Sequence, residues 1–413
     1  MTGSTTHLDS ATISALITET ADQLMPKGLF HFNSPRQTVV GEGSVLKLGD
    51  VLKRQSVRHV FFVVDKVVLD AGLLRGAQRS LDRANIEYTL FSGVHQEPGT
   101  AVIEEGIKLL SHSDADYVIG FGGGSAIDAA KVIVMMADCK CTMTELVAPD
   151  FGGHRTRGLG AIPTTAGTGS EVTDISVIIE ADGHKKLVMK HLEMMPDLAI
   201  VDSGLMISLP PPITAATGID ALTHSIEAFT ARSANPLTSA LAIAAIEKLV
   251  HALPIVVGNG EDHQARSDMA IGSYEAGLAF SNSGLGLVHA ISHQVGARYG
   301  LAHGVANGIL LPFVMEFNGL VCRAEYGAIA KAFGVVRDNM TVRQQCDAGV
   351  HAIRQLLTDI GLPADFSRVG VEEKDFAEIA SAALEDICIV DNPRSVTEAD
   401  IIRILRQVCG TTN

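Results

Sequence analysis

An apolar run, Tyr117-Val-Ile-Gly-Phe121, passes without a break into Gly122-Gly-Gly-Ser125 and then into a helical pattern carrying Asp128, Lys131 and Val132. β-branched and aromatic residues in so short a run predict a buried strand. Successive glycines let the backbone turn sharply and come close to a ligand. The helix that follows opens with free N–H groups and the positive end of its dipole. Strand, glycine turn and helix start together predict a diphosphate cradle of Gly122, Gly123, Gly124, Ser125 and Asp128. The spacing is not G-x-G-x-x-G, and the turn follows a third strand, not the first as that fingerprint does.

Two earlier runs fix the fold class. His59-Val-Phe-Phe-Val-Val64 ends at Asp65, and Glu87-Tyr-Thr-Leu-Phe91 follows a helical stretch near Leu73 to Ala84. A second helical stretch, about Ala101 to Ser111, leads to Tyr117. Strands alternating with helices at this spacing predict an α/β fold with a parallel, doubly wound sheet. Asp65, at a strand end, reads either as an ordinary solvated aspartate or as a carboxylate that accepts from a ribose 2′-hydroxyl and repels a 2′-phosphate, which would favour NAD over NADP. Ile162-Pro-Thr-Thr-Ala-Gly-Thr-Gly-Ser-Glu-Val-Thr173 has the hydroxyls and glycines of a loop that bonds phosphate or ribose oxygens. Val172 to Ile179, Lys185 to Met189 and Leu198 to Val201 are predicted as short strands, the first two joined at Asp182-Gly183.

Leu209-Pro-Pro-Pro212 marks a change of composition, and Ala- and Leu-rich helical periodicity continues from there to the end. The expected organisation is an N-terminal helix and linker over 1–28, an α/β dinucleotide-binding domain over 29–209 and an all-α domain over 210–413. In the first segment Ile13, Leu16, Ile17 and Leu24 fall at helical spacing before Pro26-Lys27-Gly28. That helix reads either as docked on its own domain or a neighbouring subunit, or as a detachable targeting element.

The helical half carries a second chemistry. Gly284 to Gly304 sets His289, His293 and His303 among apolar and small residues, and Gly218 to Phe229 sets Asp220 and His224 likewise. His289 and His293 are four apart, as are Asp220 and His224, so each pair shares a helical face. Asp220, His224, His289 and His303 offer one oxygen and three imidazoles, a set that suits Fe(II) or Zn(II). Mg or Ca would call for more oxygens, and a structural zinc would recruit cysteine. An open position on such an ion polarises a carbonyl or acidifies an alcohol. His293 is the candidate catalytic residue, for proton transfer. With a dinucleotide cradle in the same chain, hydride transfer is the simplest combined chemistry. Metal-assisted hydrolysis is the rival, but His289-Ala-Ile-Ser-His293 lacks the glutamate of H-E-x-x-H.

Composition narrows the partners. With 32 basic against 47 acidic residues the formal charge is −15, which argues against nucleic acid or an anionic membrane. Six cysteines are scattered without a disulfide framework or a completed zinc pair. The sequence shows neither a secretory signal nor an apolar run of the ~18 residues a membrane span needs, so a cytoplasmic enzyme is expected.

These motifs resemble the iron-containing (group III) alcohol dehydrogenases from about Phe30 onward. The matching stretches are Gly122 to Lys131, Ile162 to Glu171, Thr217 to Ala228 and Gly284 to Gly304. The resemblance implies the same four metal ligands, with Fe2+ first and Zn2+ or Mn2+ as alternatives. It also implies His293 as the substrate-facing or proton-relaying histidine, and NAD(H) as cofactor. Thr164, Thr165, Thr168 and Lys186 match cofactor-contacting positions. Within the family, Gln96-Glu97-Pro98, Met315 to Asn318, Val321 to Ala324 and Ala383 to Cys388 are most similar to the ethanolamine-utilisation branch. That branch reduces short aldehydes in or beside protein microcompartments, which makes a shell a candidate partner of the N-terminal helix; a homodimer is the expected assembly. Arg298 stands where relatives often carry an apolar or aromatic residue. It is a candidate for selecting an anionic aldehyde, such as sulfoacetaldehyde or a semialdehyde, against the plain reading of a surface arginine. The further alternatives are a polyol or hydroxy-acid dehydrogenase on the same scaffold, and an inactive structural protein of a microcompartment.

Overall fold

The apolar runs line up as one parallel sheet. Its strands are β1 (Gln37–Val40), β2 (His59–Asp65), β3 (Glu87–Val94), β4 (Tyr117–Gly122), β5 (Gly158–Pro163) and β8 (Leu198–Val201), in the order β1-β8-β5-β4-β2-β3. β6 (Ile175–Ile179) and β7 (Lys186–Lys190) form a separate antiparallel pair. The computed structural model describes residues 29–94, 99–148, 150–179, 186–367 and 369–410. The expected N-terminal helix, Glu97-Pro98 and the Asp182-Gly183 turn lie outside the described residues.

Alternate side chains of β2 enter different cores, which is what doubly wound means at the level of residues. Val60, Phe62 and Val64 pack with Leu48, Leu52 and Leu81, from α1 (Leu48–Arg54) and α3 (Arg75–Ala84). A short α2 (Lys66–Asp70) precedes α3. Phe61 and Val63 pack on the opposite face with Ile103, Leu110 and Ile133, from α4 (Thr100–Ser111) and α5 (Gly124–Cys139). Each such side chain, fully buried, contributes about 1.5–3 kcal/mol.

β5 was not among the expected strands, because Gly158-Leu-Gly-Ala-Ile-Pro163 has too few side chains to reveal a strand. The reason lies next door. The Tyr117 ring occupies the space where a side chain on Gly158 would stand, and it crowds one on Gly160 at 3.1 Å. β6 also starts later than expected: Ser170–Val172 is a 3-10 turn, and pairing begins at Ile175.

Beyond α6 (Met143–Val147) and β8 the chain becomes helical. α7 (Pro211–Thr230), α8 (Pro236–Gly258) and α9 (His263–Ser283) pack on one another, and α10 (Leu287–Tyr299) and α11 (His303–Asn318) complete the centre. α12 (Arg323–Ala332), α13 (Val342–Asp359), α14 (Phe376–Glu385) and α15 (Glu398–Val408) surround it. Contrary to the sequence expectation, α8 is long and apolar enough to cross a membrane. Here it lies along α7 and α9, with Ile246, Leu249 and Leu253 in their common core. The described residues from Asn33 onward pack as a single unit, in which Thr38 Oγ1 and Tyr274 OH, 2.9 Å apart, tie β1 to α9.

Candidate active site

The cofactor end follows from strand order. After β2 the chain turns toward β3, and after β4 it turns the other way, toward β5. The crevice at such a switch point, at the carboxyl ends of the strands, is where open α/β sheets bind ligands. Asp65 and Gly122 close β2 and β4 at this point. Asp65 Oδ1 accepts from Val68 N at 2.7 Å, capping α2. Its Oδ2 lies where a side chain on Gly122 would stand, and Gly122 has φ +155°. The aspartate and the glycine turn are therefore neighbours, as the sequence reading required.

The Thr164–Thr168 loop folds over the same turn. Thr164 N donates to Gly122 O at 2.9 Å. A Cβ on Gly123 would meet Thr165 at 3.8 Å, and one on Gly124 would meet Thr168 at 2.9–3.1 Å. Ser125 is the second residue of α5. Asp128, also on α5, gives one oxygen to Val177 N at 2.9 Å and lies 3.8 Å from the buried Lys131. Lys186 opens β7.

The metal end is assembled from three helices. Asp220 and His224 sit one turn apart on α7, His289 and His293 one turn apart on α10, and His303 opens α11. The ligand atoms of Asp220, His224, His289 and His303 lie within 4.8 Å of one another. This approach depends on Gly304: a Cβ there would fall on the Ala216 carbonyl oxygen of α7. The glycine after His303 lets α11 come close enough for its histidine to reach Asp220, at 3.6 Å.

His224 and His289 are aimed by what holds their other nitrogen. His224 Nδ1 is 3.2 Å from Gly167 O, so its Nε2 faces Asp220 at 3.9 Å. The His224 ring is sandwiched between Phe280 and His289, with centroids at 4.4 and 4.7 Å. His289 Nδ1 is 2.6 Å from Glu227 Oε2, and Glu227 Oε1 accepts from Val288 N at 2.7 Å. Burial, then the neighbouring His224 and His293, hold the His289 pKa well below the usual histidine range. A neutral imidazole with its Nδ1 engaged presents a lone pair at Nε2, the form in which histidine binds a metal. Burial also pushes Glu227 up to about 7, opposed by N–H groups of Val288, Gly286 and His289. One carboxylate and three imidazoles, converging and buried except for the half-buried His303, fit a divalent transition ion.

His293 stands beside the cluster, its ring 5.3 Å from that of His303. Its Nδ1 bonds Asp386 Oδ2 at 2.8 Å, and Asp386 Oδ1 accepts from Cys388 N at 2.9 Å. Asp386 stays below the usual carboxylate range: burial acts upward, but the His293 and Cys388 contacts outweigh it. Arg298, farther along α10, pairs with Asp375 at 3.1 Å and Glu378 at 2.8 Å. Its charge is thus met by protein carboxylates.

Glu227, Asp386 and Asn307 went unassigned in the sequence. Two had a signal: Glu227 is three residues after His224, and Asn307 four after His303, each sharing a helical face with a ligand. Asp386 had none, being 93 residues from the histidine it holds.

Residues 35–203 match the iron-containing alcohol dehydrogenase family and residues 214–409 match the C-terminal part of the Fe-containing alcohol dehydrogenase family. The probable alcohol dehydrogenase EutG of Escherichia coli (strain K12) is 40% identical, over 90% of this chain and 92% of its own length. A crystal structure of 1,3-propanediol oxidoreductase superimposes with a TM-score of 0.90 at 33% identity, covering 92% of this chain and 100% of that one. Sulfoacetaldehyde reductase from Bifidobacterium kashiwanohense, solved in complex with NAD+, gives 0.84 at 26% identity, covering 93% and 100%. The parallel sheet, the helical half and the converging ligand set agree with this, and the chain belongs to the iron-containing alcohol dehydrogenase family of oxidoreductases.

Proposed function

We propose that this chain interconverts a short aldehyde and its alcohol, using NAD(H) at the Gly122–Ser125 turn and a divalent ion held by Asp220, His224, His289 and His303. The observation that carries the reading is the Thr164–Thr168 loop, which serves both ends. Thr168 packs against Gly124 of the cradle, and Gly167 O holds the Nδ1 of His224. Iron is the first expectation for the ion. The functional division of the chain is placed at 209/210, between the last sheet strand and α7.

When bound, the ion supplies Lewis acidity toward the substrate oxygen and the reduced nicotinamide supplies the hydride. The chain's own residues do the rest. Asp65 receives the adenosine ribose and disfavours a 2′-phosphate. Gly122 to Gly124 bring bare backbone to the diphosphate, and Thr165 and Thr168 border it. His293 exchanges the proton with the substrate oxygen, and Asp386 fixes which of its nitrogens is free to do so. A neutral aldehyde suits the site better than an anionic one, because Arg298 is already paired with Asp375 and Glu378.

The test is to strip the protein with a chelator and resupply Fe(II), Zn(II) or Mn(II), following NADH and NADPH oxidation on neutral and anionic aldehydes. Activity should depend on the ion, favour NADH by at least about tenfold and favour neutral aldehydes. Full activity after stripping, or equal use of NADPH, would refute the reading.

A further inference from the structure

The metal cluster contains one donor among its acceptors. Asn307 is fully buried on α11, one turn beyond His303. Its Nδ2 lies 2.7 Å from Asp220 Oδ1, 3.1 Å from His289 Nε2 and 3.2 Å from His303 Nε2. Three of the four ligands thus converge on one amide nitrogen. The other end of that amide is left over: Asn307 Oδ1 is buried and meets no donor among the described residues. A buried carbonyl oxygen without a partner destabilises the fold. The side chain is therefore held in this orientation by its N–H2 and the ligands it touches.

Without a cation, Asp220 and the imidazole lone pairs would face one another within 4.8 Å and repel. An amide N–H2 carries partial positive charge and two hydrogens, enough to bridge two such acceptors, or all three with one hydrogen shared. We propose that Asn307 is a positioning residue that keeps the ligand set assembled while the ion is absent, as a neutral stand-in for it. The ion and the N–H2 compete for the same lone pairs. Asn307 therefore stabilises the metal-free protein more than the loaded one, and lowers the site's affinity in exchange for keeping it formed. This rests on the metal-site reading above.

The test uses the full chain, stripped and Zn(II)-loaded, as wild type, Asn307→Ala and the isosteric Asn307→Asp. Melting temperatures are measured for both forms, and Zn(II) affinity by competition with a chromophoric chelator. Both variants should lower the Tm of the stripped form more than that of the loaded form. By linkage they should bind Zn(II) several-fold more tightly, Asn307→Asp most of all because it adds a carboxylate. Equal losses in the two forms would reduce Asn307 to packing, and a larger loss in the loaded form would make it a ligand; either overturns the proposal. A wild type that takes up neither Zn(II) nor Fe(II) would instead overturn the metal-site reading. Asn307→Asp preserves volume, so the comparison survives if the alanine variant fails to fold.

Discussion

The two ends of the site are built from different materials. The cofactor end is backbone: two contiguous loops, Gly122–Ser125 and Thr164–Thr168, whose glycines remove obstacles. The metal end is side chain: four candidate ligands on α7, α10 and α11, of which His224 and His289 are aimed by Gly167 O and Glu227. A backbone site can adjust by turning a threonine. A side-chain cluster at a helix contact adjusts only if whole helices move, so damage to it should spread farther.

The largest effect is expected at Gly304. An alanine Cβ at this position would collide with the Ala216 carbonyl, and no side-chain rotation relieves a clash with backbone. Gly304→Ala should lose bound metal and on the order of 3 kcal/mol of stability or more. Metal analysis and urea unfolding would check this, and near-normal values for both would break the contrast. Next comes Glu227→Gln. Glu227 serves two donors at once, Val288 N and His289 Nδ1, and glutamine keeps only one acceptor oxygen. His289 would lose the partner that sets its tautomer. Metal affinity should fall roughly 10–100-fold, read by chelator competition, while NAD(H) binding measured by fluorescence titration stays the same. A parallel loss of cofactor binding would show the two ends to be one mechanical unit.

The same division decided what could be read in the sequence. The strands β2, β3 and β4 were legible because their apolar runs are long, and the pairs Asp220/His224 and His289/His293 because i,i+4 spacing marks a helical face. That His303 converges with Asp220, His224 and His289 is seen only in the fold. β5 was hidden, since the Tyr117 ring leaves no room for a side chain on Gly158 and little on Gly160, which leaves no strand pattern. The groups that aim the ligands were hidden for a related reason. Gly167 offers a carbonyl oxygen, which every residue has, and Asp386 reaches His293 only through tertiary folding. Arg298 drew attention as an unusual cation, but Asp375 and Glu378, which neutralise it, are remote in sequence. Chemistry at fixed spacing is visible; orientation is not.

Each end also buries a glutamate, and they differ in company. Glu227 has His289 and backbone donors, whereas Glu171, just after the Thr164–Gly169 loop, is offset mainly by its own backbone N–H and Lys131. Burial pushes Glu171 up from 4.5 to about 7. Between those pH values the folded chain holds a proton that the unfolded chain has lost. Stability therefore falls as pH rises from about 4.5 to about 7, and the full loss persists above that. Glu171→Gln should remove this loss: unfolding near pH 8 should show the variant gaining about 3 kcal/mol relative to wild type, with little difference near pH 4.5. The same offset at both pH values would trace the effect to packing.

The smallest effect is expected from Gly124→Ala, and it sharpens the comparison most, because it makes the same substitution as Gly304→Ala at the other end. The new Cβ would meet Thr168 Cγ2 and Oγ1 at 2.9 and 3.0 Å, too close to stay but close to a side chain, not to backbone. Thr168 can turn, at the expense of the 3.3 Å bond its Oγ1 accepts from Ser170 N. Alanine is also a better helix former than glycine by up to about 1 kcal/mol, which offsets part of the crowding at the first residue of α5. Stability should therefore change little. The cradle would narrow where the diphosphate approaches, so KM for NADH should rise about three- to tenfold with metal content unchanged. Gly124→Ala with normal metal and poor cofactor binding, beside Gly304→Ala with the reverse, would separate the two ends experimentally. If Gly124→Ala also released metal, the Thr164–Thr168 loop would be transmitting the disturbance through Gly167 to His224, and the two ends would be coupled through that single hydrogen bond.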